Sequence, residues 1–151
     1  MLKYHKTTEE EKRLICGWRY EEEYAVYNVP SYEEQKEKHR GFANPKNDFY
    51  SFYDGSCLIA YVNLIEESAA VFLGIAVHPD CCGRGYGPQI VRIACGISRR
   101  RYPKKRIRLE VRAWNIRAVR CYEKAGFHIV GETYRKTAPG GEDLFCKMEA
   151  D

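Results

Sequence analysis

Residues 71–88 read Val71-Phe-Leu-Gly-Ile-Ala-Val-His-Pro-Asp-Cys-Cys-Gly-Arg-Gly-Tyr-Gly-Pro88, an apolar run that passes through a glycine-studded turn and emerges at a helix start. Beyond it, Ile90, Val91, Ala94 and Ile97 recur at helical spacing, and Pro88 suits the first position of that helix. Glycines at 83, 85 and 87 let the backbone fold tightly and turn several N–H groups into one concavity. The helix entrance adds unsatisfied donors and a partial positive charge, so the concavity suits a pyrophosphate, to which Arg84 could add a full charge. A Walker A loop would need GxxxxGK[ST], which is absent. A dinucleotide fingerprint would need GxGxxG early in a βαβ array, whereas here the spacing is GxGxG.

Upstream, Met1 to His5 is read as a short strand, and Thr8 with Glu11 three residues on marks a helix start by capping-box spacing. Ser31 and Glu34 repeat the signal for a second helix running to about Arg40, closed by Asn44-Pro45. Phe49–Tyr53, Cys57–Ile65 and Ala69–Val77 read as three antiparallel strands around the Asp54-Gly55 turn and a polar break at Glu66 to Ser68. Downstream, Arg106 to Arg112 alternates as a strand, and a helix from about Ile116 to Ala125 is stopped by Gly126 with Phe127 behind it. Phe127–Thr133 and Leu144–Met148 then form a last pair of strands around the Ala138-Pro139-Gly140-Gly141 turn. This order predicts an α+β fold, a mixed and mostly antiparallel sheet with helices on both faces.

The chain has 151 residues, 44% of them hydrophobic and 30% charged, which fits a single soluble domain spanning 1–151. No apolar run reaches the roughly 18 residues of a membrane span, and the first residues lack a signal peptide's apolar stretch, so the expected location is the cytoplasm. The seven cysteines lack paired metal-ligand spacing, so free thiols are expected and no metal is implied. The net charge of +4 hides an asymmetry, because residues 84–124 hold thirteen Lys/Arg and two acids. Such an excess points to a polyanionic ligand, either a phosphorylated cofactor or nucleic acid, although Arg99, Arg100 and Arg101 read as a solvated helix face. No RNA-binding signature accompanies it.

At Cys82-Gly-Arg-Gly-Tyr-Gly87 and Asn115-Ile-Arg-Ala-Val-Arg-Cys-Tyr-Glu-Lys-Ala-Gly-Phe127 the sequence resembles the GNAT superfamily of N-acetyltransferases, whose signatures are [R/Q]xxGx[G/A] and NxxAxxxYexxGF. Cys82 departs from the usual Arg or Gln. The resemblance covers residues 70 to 149 and implies an acetyl-CoA-dependent transferase whose fourth and fifth strands splay apart around the cofactor. Carried over, Ile75, Ala76 and Val77 would contact the pantetheine through their backbone. Cys82, Gly83, Arg84, Gly85, Tyr86 and Gly87 would cradle the pyrophosphate. Asn115, Arg117 and Ala118 would complete the cofactor site.

Acetyl transfer to an amine needs a neutral nucleophile, stabilised oxyanion charge and a proton for the departing thiolate. Strand alternation puts Arg108, Glu110 and Arg112 on one face, which makes Glu110 the candidate base, against a plain ion-pair role with its Arg neighbours. Tyr122 is the candidate acid. Within the superfamily the Leu109-Glu-Val-Arg112 segment, twelve residues from glutamate to tyrosine, is most similar to bacterial ribosomal-protein alanine N-acetyltransferases, while Arg117 to Phe127 also resembles aminoglycoside N-acetyltransferases. The acceptor is therefore an amine, a protein N-terminus on the leading reading and an aminoglycoside or polyamine on the alternative. A non-catalytic acyl-CoA-binding module is a reading of another class, and a homodimer is left open. The family walls its acceptor pocket with the first helices and last hairpin, so Trp18, Tyr20, Tyr24, Tyr27 and Tyr32 with Glu21, Glu22 and Glu23 are candidates to receive a cationic amine.

Overall fold

The computed structural model describes residues 1–150. Seven strands form one sheet in the order β1-β2-β3-β4-β5-β7-β6, with β1 Leu2–Lys6, β2 Asp48–Asp54, β3 Cys57–Glu66, β4 Ala70–Val77, β5 Arg106–Arg112, β6 His128–Ala138 and β7 Gly141–Ala150. The four helices are α1 Glu9–Cys16, α2 Tyr32–Lys38, α3 Tyr86–Arg101 and α4 Ile116–Lys124. Every neighbouring pair of strands is antiparallel except β4 and β5. Among the described residues no helix is long and apolar enough to cross a membrane.

Period-2 alternation sorts the strand side chains between two cores. Phe52, Val62, Leu64, Val71, Leu73, Ile107, Leu109 and Met148 face Ile90, Val91, Ala94 and Ile97 of α3, with Ala118 and Tyr122 of α4 packed alongside. On the other face Phe49, Leu58 and Tyr61 meet Ile15 and Cys16 of α1 and Tyr32 of α2. Helices thus cover both faces, as expected from the element order.

The element signals hold with local adjustments. Thr8 caps α1 in a complete capping box with Glu11, and Ser31 accepts from the Glu34 N–H at the head of α2. That helix stops at Lys38, two residues short of Arg40, because His39 turns into the left-handed region at φ 53°. Pro88 is not the first residue of α3. The helix begins at Tyr86 with Gly85 as its N-cap, and Pro88 stays within the first turn, where its missing N–H costs nothing. The last hairpin is longer than its apolar residues suggest. Opposite two steps of β7, from Lys147 to Phe145, β6 advances four, from Val130 to Tyr134, and the bulge holds Gly131 at φ 73°.

The decisive feature is where pairing stops. β4 and β5 share only Ala70↔Arg106, Val71↔Ile107 and Phe72↔Arg108. Beyond them β4 follows β3 as far as Val77, and β5 follows β7 as far as Arg112, so the two halves of the sheet diverge into a V.

Glu11 ties β1 and β2 to α1. Its carboxylate, 5% exposed, accepts from Tyr53 Oη, Ser51 Oγ at 2.9 Å, His5 Nε2 at 2.8 Å and the Thr8 N–H at 2.9 Å. Burial alone would raise its pKa, but these hydrogen bonds outweigh it and hold the group down at about 2. A folded pKa below the usual 4.5 means stability that is full above pH 4.5 and drains away as pH falls toward 2. Urea unfolding measured from pH 6 to pH 2 should therefore show a loss on the order of 2–3 kcal/mol assignable to this residue, absent from the pH dependence of Glu11→Gln.

Candidate active site

The V between β4 and β5 is a cleft of about 1270 Å³. Its floor is β4 from Phe72 to Val77, its far wall Glu110 to Arg112 of β5, and its roof the segment from Tyr20 to Pro30, which includes a 3-10 helix at Glu22–Tyr27. At one end lie Cys82, Gly83, Gly85, Tyr86 and Gly87 of the turn before α3; at the other lie Lys136, Ala138 and Pro139 of the last hairpin with Phe145 of β7.

At the turn end, Gly83 and Gly85 adopt φ of 79° and 81°, a conformation that side chains resist, and neither has an atom within 4 Å of where a Cβ would stand. The N-cap Gly85 offers no side-chain hydrogen bond to the first turn of α3, so those N–H groups are left to a ligand or solvent. Arg117, Arg120 and Lys124 of α4 line the same cleft. An open, uncapped helix entrance facing three cations fits a diphosphate.

Gly87 has a task besides the one its spacing suggests. It lies inside α3, and a Cβ there would meet Cys121 Sγ of α4 at 2.6 Å. It therefore lets the two helices approach. Arg84 is exposed and does not line the cleft, and Tyr86 donates its hydroxyl to Asp54.

Along β4, Ile75 and Ala76 line the cleft as expected, but the Val77 carbonyl already accepts from Tyr20 Oη at 2.6 Å. That bond fastens the roof to β4. A second clasp, from the Tyr20 N–H to Asn28 Oδ1 at 2.7 Å, closes the roof segment on itself. Cys82 lines the cleft with its thiol directed at the His78 carbonyl, 3.5 Å away, and burial pushes that thiol up in pKa. Asn115 spends its side chain on structure: Oδ1 caps α4 at the Ala118 N–H, and Nδ2 donates to Tyr27 Oη at 2.9 Å.

Glu110 and Tyr122 line the same cleft. Burial pushes the Tyr122 hydroxyl up, which keeps it protonated. Glu110 does not pair with Arg108 or Arg112. Arg108 is committed to Glu67 by two bonds of 2.7 Å, and Arg112 to Asp143 and the Pro139 carbonyl, each at 2.8 Å. Glu110 accepts instead from Tyr134 Oη and from Lys136 Nζ at 2.7 Å. Burial would raise its pKa, but these two bonds and the nearby charges of Lys136 and Arg108 bring it below the usual value, so it is a carboxylate at neutral pH.

Of the aromatic and acidic residues expected at the acceptor end, Tyr20, Tyr24 and Tyr27 line the cleft. Trp18 and Tyr32 belong to the second core, and Glu21, Glu22 and Glu23 lie off the lining, where Glu34 stands instead. Tyr134 and Lys136 escaped sequence reading because the strand was read as ending at Thr133, and Phe145, inside the strand read at Leu144–Met148, carried no signal that it faces the cleft. The only signal was the alternation of Tyr134 and Lys136 continuing toward the turn.

The Acetyltransferase (GNAT) family model matches residues 13–127. The chain belongs to this family of acetyltransferases. As a GNAT enzyme it takes acetyl-CoA as cosubstrate, and the open turn before α3 is the part of the fold that suits the diphosphate. Among solved structures it is similar to the spermidine N-acetyltransferase from Vibrio cholerae in complex with CoA and spermine, at 22% identity over 99% of this chain and 94% of that one, with a TM-score of 0.81. It is also similar to AAC(6')-Ib in complex with ribostamycin and coenzyme A, at 19% identity over 97% and 92% of the two chains, with a TM-score of 0.74. No curated protein is matched by sequence comparison.

Because Gly87 admits Cys121, Gly87→Ala should push α3 and α4 of this GNAT enzyme apart, costing about 1–3 kcal/mol and weakening CoA binding. Adding Cys121→Ala removes the clashing sulfur and leaves a Cβ at an ordinary 3.8 Å. A double-mutant cycle read by thermal unfolding and CoA titration should show that recovery.

Proposed function

We propose that the chain acetylates a small cationic amine of the polyamine or aminoglycoside type, with Glu110 as proton acceptor and Tyr122 as proton donor. The observation that carries the choice of acceptor is the bridge over its end of the cleft. A Cβ at Gly140, in the hairpin turn, would lie 3.0 Å from Val26 Cγ1 of the roof, and Arg112 holds the same turn through the Pro139 carbonyl. Such a bridge narrows the way in, which favours a small amine, a slender polyamine above all, over the N-terminal segment of a folded protein. The same cleft is lined by the carboxylates of Glu34 and Glu110, which suit a cation, and by the rings of Tyr24 and Tyr27, which already lie under Arg117 and Arg112. The spermine and ribostamycin complexes of the similar structures support this class over the ribosomal-protein alanine acceptor favoured by the sequence.

Acetyl-CoA supplies the activated acyl group; the chain's residues supply position and proton movement. An alkylammonium has a lysine-like pKa of about 10.4, so it arrives charged. The ionised Glu110 attracts it and takes the proton that must leave before nitrogen can attack, passing it to solvent. Nitrogen then attacks the thioester carbonyl, and as the C–S bond breaks the buried phenol of Tyr122 gives its proton to the departing sulfur and regains one from the nitrogen, which sheds its second proton as the amide forms. Orientation comes from the roof, fixed by the Tyr20–Val77 bond, and from main-chain groups of β4 left without a β5 partner.

Thiol release with spermidine, ribostamycin and an alanine-terminated peptide should show kcat/KM highest for one of the first two. Tyr122→Phe and Glu110→Gln should each lower kcat on that acceptor by about 10²-fold or more while CoA affinity is unchanged. Preference for the peptide would overturn the acceptor assignment, and undiminished kcat in either variant would overturn that residue's role.

A further inference from the structure

The carboxylate assigned above as proton acceptor already holds an amine from its own chain. Glu110 Oε2 is tied to Tyr134, and Oε1 faces the Lys136 ammonium at 2.7 Å. Lys136 lines the same cleft and lies over the Phe145 ring, 5.4 Å from its centre. A carboxylate oxygen and an aromatic face are the two groups that a free alkylammonium would seek here. We infer that Lys136 occupies the acceptor's ammonium subsite as an internal competitor, so that its charge sets how tightly cationic amines bind; this rests on the function proposed above.

Three observations make Lys136 displaceable where its neighbours are not. Arg108 and Arg112 each make two hydrogen bonds through separate nitrogens, whereas Lys136 has one carboxylate oxygen and a ring. Its side chain is 45% exposed and stands on β6, the edge strand, beyond the Gly131 bulge. A flexible lysine stem can swing to solvent, and the Glu110 it leaves, 16% exposed, is then matched by the incoming ammonium. Each acceptor then exchanges one ammonium for another at Glu110, which favours substrates with a second cation that also reaches Glu34.

Lys136→Met keeps the stem and removes the charge, while Lys136→Arg keeps a cation opposite Glu110. With spermidine at fixed ionic strength, K136M is expected to lower KM about fivefold with kcat changed less than KM, and K136R to keep the higher KM. An unchanged or raised KM in K136M, or a fall in kcat that K136R rescues, would overturn the inference and make Lys136 a positioning residue for Glu110. Wild-type turnover in the same assay tests the proposed function separately. If that turnover is missing, calorimetric titration of spermine into wild type and K136M decides the matter: tighter binding to K136M supports the competitor, and equal or weaker binding refutes it.

Discussion

Two neighbouring strands in the middle of a sheet stop pairing after three residue pairs, and the edges they expose must find other partners. Unpaired main-chain donors and acceptors inside a protein cost about as much as a lost hydrogen bond each. Here the roof segment meets part of the demand, through Tyr20 on the Val77 carbonyl. What remains along Ile75 and Ala76 is a strip of β4 edge that can accept an extended amide-bearing ligand. The pantetheine arm of acetyl-CoA is such a ligand, so on the proposed function the same parting that weakens the sheet creates the place where the two substrates would meet.

The cleft is electrically graded along its length. At the α3 entrance the helix N-terminus and the cations of α4 favour phosphate; at the hairpin end Glu110 and the Phe145 ring favour an ammonium, a place that Lys136 holds. Most of the basic excess of residues 84–124 does not contribute to this gradient. Arg101 pairs with Asp48, Lys105 with Glu66, Arg106 with Glu149 and Arg108 with Glu67, all away from the phosphate end. Arg99 to Arg101 occupy the last turn of α3, where cations complement the helix dipole. Arg117, Arg120 and Lys124 of α4 line the cleft, Arg117 with its guanidinium over the Tyr24 ring.

The elements that announce themselves in the sequence are those whose signals are local. Thr8 with Glu11, the glycine turn before α3, the alternation of residues 107–112 and Gly126 after α4 all rest on contacts between near neighbours, and each is found where it was read. Sheet order was not legible, because insertion of β7 between β5 and β6 is fixed by side chains far apart in sequence. For the same reason the partner of Glu110 was missed. Arg108 and Arg112 share its strand face, but Glu67 and Asp143 claim them from other elements, and the β6 bulge brings Tyr134 and Lys136 in their stead. A second demand on Gly87 was hidden for the same reason: its spacing belongs to a phosphate turn, but the sulfur that excludes a side chain there comes from α4.

The most direct measurement of this account is a crystal structure grown with CoA. The diphosphate should lie against the backbone of residues 83 to 87 with α4 cations beside it, and the pantetheine should run between β4 and β5 with its sulfur nearer Tyr122 and Glu110 than the turn. A nucleotide bound elsewhere, with the two strands still parted and the space between them filled by solvent, would contradict it.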